Sequence, residues 1–205
     1  MKSDLRPLGK IVRLQIQRST LKVGEKPNRR YDPSALLAVD ELTLTPDGAL
    51  AVRGLAEGGT LLDVHHVGHP ETRNNEGIND LSVGFTPHYT AMRERFGEHV
   101  EDGCAGENIL IETLGLIELF ALEGGLVIHS ARAAGTPPIW LRNFRVAAPC
   151  RPFSGYVLNR MVDEATLKAT LQFLDNGLRG FYCTLTDEQS VTIAVGDEVL
   201  VPKTS

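Results

Sequence analysis

Apolar and polar residues alternate along much of the chain with the two-residue period of a half-buried strand. In GKIVRLQIQR (residues 9–18), Ile11, Val12, Leu14 and Ile16 are set among charged and polar neighbours. ELTLTPDGALAVRG (41–54) places Pro46-Asp47-Gly48 between two alternating runs, a hairpin signal in which Gly48 supplies the positive φ a tight turn needs. TLLDVHHV (60–67), NILIETLGL (108–116), LIELFALEGGLVIHSARAA (116–134), GFYCTLT (180–186) and VTIAVGDEVLVP (191–202) read as further strands. Two segments carry helical signals instead. TPHYTAMRERFGEH predicts a helix over about 87–97, with Thr86 as cap, Pro87 at the first helical position and Gly97 near the end. DEATLKATLQFLDNG predicts one over about 163–175, capped by Asp163, with Ala165, Leu167, Leu171 and Leu174 on its apolar face and Asn176-Gly177 closing it. Many short strands with two outlying helices predict a mainly β fold, a barrel or sandwich. The longest polar stretch, residues 66–82, is expected to be a functional or mobile loop.

Composition narrows the function more than the fold. At 205 residues the chain is long enough for one domain with a sizeable core. A net charge of -5 lacks the basic footprint of a nucleic-acid binder. No apolar run approaches the roughly 20 residues of a membrane span, and the first residues lack the apolar core of a secretory signal, so a cytoplasmic protein is expected. Three cysteines, an odd number, argue against a disulfide framework, so reduced thiols are expected.

Four places then stand out for chemistry. In RVAAPCRPFSGY (145–156), Cys150 lies between Pro149 and Pro152, which predicts a stiff, extended segment; Arg145 and Arg151 nearby favour the thiolate if they turn toward the sulfur. The alternative is a small buried hydrophobe in a Pro-rich loop. Cys183 alternates with Phe181 and Leu185 and is expected in the core, while Cys104 is ambiguous. In AGENIL, Glu107 and Asn108 either open a strand or line a pocket at its end. LLDVHHVGHPET gathers Asp63, His65, His66 and His69; a zinc site on Asp63, His65 and His69 is conceivable, yet on a strand His66 faces away from Asp63 and His65. In NGLRGFYCTL, Gly177 and Gly180 bracket Arg179, either as a helix cap and turn or to hold an arginine beside an anion.

The order of these motifs resembles the MOSC domain, the C-terminal domain of molybdenum cofactor sulfurases, which also occurs as stand-alone proteins. The resemblance runs from about Gly9 to Val201 and rests on the opening strand, Asp63-Val64-His65, the GEN turn, the PC cysteine, the GLRGFYCTL segment and the final VGDEVLV strand. It implies a single mainly β, MOSC-like barrel with a few peripheral helices over residues 1–205. It also implies a molybdenum cofactor (molybdopterin) whose metal is ligated by Cys150, or a persulfide carried there, with Asp63, His65, Glu107, Asn108, Arg145 and Arg179 around the cofactor. The implied partners are a small-molecule substrate, with N-hydroxylated compounds as candidates, and a redox or sulfur-donor protein. The pyridoxal phosphate domain of the sulfurases has no room in this chain. Two positions depart from the family pattern: Leu62 where glycine often precedes the Asp, and Ala147 where arginine often stands three residues before the cysteine. These departures leave a non-catalytic ligand- or partner-binding module as the alternative.

Overall fold

The computed structural model describes residues 4–52, 59–72, 74, 80–131 and 137–203. Residues 73 and 75–79 of the long polar loop, and the tails of the predicted strands at 53–54 and 132–134, lie outside the described residues. The first half of the chain forms β1 (Leu5–Gln17), β2 (Lys22–Val23), β3 (Arg30–Tyr31), β4 (Leu36–Val39), β5 (Glu41–Thr45), β6 (Gly48–Val52), β7 (Thr60–Leu62) and β8 (Leu81–Phe85). Helix α1 (Thr86–Phe96) then leads to β9 (Ile109–Thr113), β10 (Leu126–His129) and β11 (Ile139–Val146). Helices α2 (Arg151–Leu158) and α3 (Glu164–Asp175) precede β12 (Phe181–Leu185), β13 (Val191–Ala194) and β14 (Glu198–Pro202).

Seven of these strands close a barrel in the order β14, β10, β11, β12, β8, β9, β1, because β1 pairs with β14 as well as with β9. Among the described residues all its pairings are antiparallel except β8 with β9, which α1 connects as a crossover. The fold is thus a mainly β barrel with outlying helices, one of the two architectures the alternation predicts and the one the resemblance implies. The interior is apolar: Ile11, Leu14, Leu81, Val83, Phe85, Ile109, Ile111, Phe181 and Cys183 belong to one buried cluster. Full burial of each large side chain stabilises by about 1.5–3 kcal/mol relative to exposure. A register shift between Ile11 and Arg13 explains how Ile11 and Leu14, three residues apart, both reach this interior. A second sheet, β13-β5-β6-β7, adds Leu42, Leu44, Ala49, Ala51 and Ile193 to the same cluster. The predicted hairpin is β5–β6, with Thr45 opposite Gly48 and Gly48 at φ 123°.

The helices cover the outer face of β1 and β9. Tyr89 and Met92 of α1, Phe153 and Val157 of α2 and Leu174 of α3 form a second cluster with the outward-facing Val12 and Leu110. Four expectations change here, the first at residues 116–125, read as strand: Leu119–Leu122 form a short 3-10 helix and β10 starts only at Leu126. Thr86 does not cap α1; Phe85 takes the cap position without a side-chain hydrogen bond, and Thr86 opens the helix. TLLDVHHV is a strand only to Leu62, and Asp63 onward lies in turns. The stretch around Cys150 is not an extended loop throughout: Pro152 stands in the first turn of α2, where its missing N–H costs nothing, and Cys150 is the cap residue, φ −121° and ψ 155°. Asp163 caps α3 as expected, its carboxylate accepting from Thr166 N at 2.7 Å.

Candidate functional site

Strand ends at one rim of the barrel, joined by the end of β7 from the second sheet, bring Asp63, His65, Glu107, Asn108 and Arg179 together. β1 ends at Gln17, β9 begins just after Glu107 and Asn108, β12 begins just after Arg179, and β7 is followed by Asp63 and His65. Buried glutamines on β1 fix the loop that carries Glu107. Gln15 Nε2 donates to the carbonyls of Gly103 and Glu107, both at 2.8 Å, and Gln17 Nε2 donates to that of Gly106 at 2.7 Å.

Asp63 is fully buried and fully used. Its Oδ2 accepts from Gln17 N at 2.7 Å and Asn108 Nδ2 at 3.0 Å, and its Oδ1 accepts from His65 N at 2.9 Å. Oδ1 also lies 2.9 Å from His65 Nδ1. A carboxylate accepts, so Nδ1 carries the proton and the ring is oriented with Nε2 left for a ligand. Asn108 is likewise spent on the scaffold. Its Oδ1 accepts from Ser82 N and Oγ, both at 3.0 Å, while Nδ2 bridges Gln15 O and Asp63. Asp63 and Asn108 therefore position the site, and His65 presents it.

Glu107 is a buried carboxyl group on the wall of a cavity. Tyr89 Oη lies 2.7 and 2.8 Å from its two oxygens, and Tyr89 in turn accepts from Ala105 N at 3.0 Å. Burial raises the Tyr89 pKa well above its usual value, so it donates its proton. Burial also pushes the Glu107 pKa up to about 7, outweighing the hydrogen bond from Tyr89 and the attraction of Arg179 and Arg13. Space for the carboxyl comes from Gly84 of β8, where an added Cβ would fall 2.7 Å from Oε1.

Arg179 projects from a turn made by two glycines of positive φ, Gly177 at 85° and Gly180 at 111°, joined by Gly180 N to Gly177 O at 2.8 Å. Arg179 is half-buried, and its buried Nε has no hydrogen-bond partner among the described residues. Burial works against its charge; Tyr182, Tyr31 and Cys150 nevertheless hold its pKa above the usual value. Arg179, His65, Gln17 and Tyr182 line two adjoining spaces. The first, of about 10 Å³, also touches Glu107 and Ala147 and has room for about one water. The second, a cleft of about 180 Å³, adds Tyr31 and the cations Lys22 and Arg29.

Cys150 lies near Arg179 and Tyr31, to which it is electrostatically coupled, and packs against the helical cluster. It is half-buried and lines neither space. Arg151, expected beside the thiol, turns instead to Glu164, with bonds of 3.0 and 2.6 Å. Arg145 stands opposite Tyr182 on β11, is coupled to Asp80 and Cys183, and also lines neither space; its buried Nε has no partner among the described residues. Zinc ligation by Asp63, His65 and His69 is not supported: His69 accepts from Glu71 N and bonds Arg18 O, and among the described residues no three His, Cys, Asp or Glu side chains converge on a metal position. Tyr89, Tyr182, Gln15, Gln17 and Gly84 were not foreseen. Only the glutamines left a trace, as the polar residues that alternate with Leu14 and Ile16 at the end of the first strand.

Comparison with known proteins agrees with this architecture. A sequence model of the MOSC domain matches residues 80–200, a span that holds Glu107, Cys150 and Arg179 but not Asp63 or His65. No curated protein matches the chain. Among solved structures, the YuaD protein from Bacillus subtilis superposes with a TM-score of 0.57 at 14% identity, covering 98% of this chain and 99% of that one. A hypothetical protein follows with a TM-score of 0.54 at 14% identity, over 97% of this chain and 70% of its own. At these identities the likeness is one of fold. No described helix is long and apolar enough to cross a membrane.

Proposed function

The chain belongs to the MOSC domain family, and from that premise we propose that it binds a molybdenum–pterin cofactor at the cleft beside Arg179, with Cys150 as the thiol that meets its metal or carries sulfur. The observation that carries this reading is the buried Nε of Arg179, without a hydrogen-bond partner among the described residues, on a side chain that lines both the small cavity and a cleft also lined by Lys22 and Arg29. A guanidinium with a free donor and two further cations fits a phosphate-bearing ligand. When bound, such a cofactor supplies two-electron redox chemistry or a site for sulfur transfer.

This chain's residues supply the surroundings. Arg179, Lys22 and Arg29 would hold the anionic end. His65, oriented by Asp63, would offer Nε2 to a ligand atom. Glu107 would exchange a proton close to neutral pH. A thiolate suits a soft metal better than any oxygen donor, which is the case for Cys150. N-hydroxylated bases are the proposed substrate class, and a redox or sulfur-donor protein the proposed partner. The position of Cys150 off both cavity walls favours one second reading, a binding module that holds a ligand and does no chemistry.

The test is metal and pterin analysis of protein from a molybdenum-replete host. Stoichiometric molybdenum and pterin are expected in the wild type. Arg179→Ala should lose both, and Cys150→Ser should keep the pterin while losing the metal. Folded wild-type protein carrying neither overturns the cofactor reading. Pterin with unchanged molybdenum in Cys150→Ser removes Cys150 from the site.

A further inference from the structure

We propose that Glu107 and Arg179 form a proton-coupled anion site, in which an oxyanion entering the cleft beside Arg179 is taken up together with a proton on Glu107. This rests on the anion role of Arg179 proposed above and adds a regulation to it. Arg179 belongs to both spaces, whereas Glu107 lines only the smaller one. Arg179 thus borders both the cleft and the small cavity, whose wall it shares with Glu107 and which has room for about one water, and it interacts electrostatically with the Glu107 carboxyl. An ionised Glu107 neutralises Arg179 from within. A protonated Glu107 leaves that positive charge, with those of Lys22 and Arg29, to an anion in the cleft.

The groups facing Glu107 come from every neighbouring element: Tyr89 from α1, Arg13 from β1, Tyr31 from β3, Cys104 from its own loop, Arg179 from the turn before β12 and His65 across the cavity. Burial moves Tyr89, Tyr31 and Cys104 further from ionisation, and the arginines keep their charge. Glu107 moves the opposite way, toward neutrality, also through burial. The sign follows: an anion favours the protonated carboxyl, so affinity falls as pH rises through the Glu107 pKa. Histidine as a residue type also changes charge in this range, so His65 needs its own control.

Sulfate is the probe, because its charge is constant over the range. It is titrated by calorimetry into the full chain, purified from cells unable to make the pterin cofactor. Binding should weaken about tenfold between about pH 6 and about pH 8, with proton uptake read from buffers of different ionisation heat. Glu107→Gln should bind equally at both pH values and take up no proton; His65→Gln should keep the dependence. No binding at either pH, pH-independent binding by the wild type, or a dependence that survives Glu107→Gln overturns the proposal. Loss of the dependence in His65→Gln overturns it too. Should Glu107→Gln fail to fold, infrared difference spectra of the wild type decide: sulfate must raise the protonated-carboxyl band, and an unchanged band rejects the coupling. Molybdenum and pterin copurifying with a chain whose sulfate site ignores pH would retain the proposed function and reject this inference. A proton-coupled sulfate site in a chain that carries no cofactor would do the reverse.

Discussion

The three cysteines share one chemistry and occupy three environments. Cys183 is fully buried in the barrel, and burial with Asp80 nearby pushes its thiol pKa up. Cys104 is almost as buried and is pushed up by burial and by Glu107. Cys150 is half-buried, at the start of α2 and near Arg179. A half-buried thiol is within a reagent's reach and the Cys183 thiol is not, so Cys150 should be alkylated about tenfold or more faster than Cys183, as peptide mapping by mass spectrometry would measure. Cys183→Ser should cost about 1–3 kcal/mol in urea unfolding, because its hydroxyl enters apolar surroundings, while Cys150→Ser should cost less. An inert Cys150 whose serine variant unfolds readily would be a core residue. At this scale the sequence spoke unevenly. Glu107 and Arg179 stood out as charged residues next to glycines where a strand is expected to begin. The roles of Asp63 and Asn108 did not, because the sequence does not reveal which partners a buried side chain finds across 45 residues.

Elements were legible where period or capping carried the signal, and lost where backbone geometry interrupted it. β8 was missed because Leu81–Phe85 is buried on both faces and so shows no alternation. β11 was missed because its pairing with β12 shifts register between Arg142 and Arg145, around Asn143 at φ 57°, which breaks the two-residue pattern. α2 was missed because prolines on both sides of Cys150-Arg151 were read as extenders, although the second lies in a first helical turn. β1 offers a sharp test of element packing. Gly9 pairs with Val199 on one side and Thr113 on the other, and an added Cβ would fall 1.9 Å from Glu112 O. Gly9→Ala should therefore force the strands apart and cost about 3 kcal/mol in urea unfolding. Gly115→Ala, exposed and with no atom within 4 Å of the new Cβ, is the control and should be near neutral. Equal midpoints for the two variants would mean that β1 can move freely on β9.

For the whole molecule, strand density announced a mainly β fold, but neither that it is a barrel rather than a sandwich nor which strands close it. Closure depends on long-range pairing that no local pattern encodes. The seam joins β1 to β14, and Lys203 reinforces it through N to Asp4 O and Nζ to Asp4 Oδ2, both at 2.8 Å. Residues 4 and 203 are thus neighbours. A chain permuted by joining them and opened at the exposed Glu188 should keep one cooperative urea transition, whereas a chain ending at Gly196 should lose it, having opened both β1 and β10. A truncated chain with the wild-type midpoint would show that β14 is dispensable.

That seam also sets a schedule on the ribosome. Among the described residues Leu5, Arg6 and Pro7 pair with Pro202, Val201 and Leu200, which are synthesised long after them. While the chain is made, this short segment waits with its hydrogen-bonding groups open to neighbouring nascent chains. Its composition suits the wait: Pro7 lacks the donor that a foreign strand would use, and exposed Arg6 and Lys10 repel a second copy laid alongside.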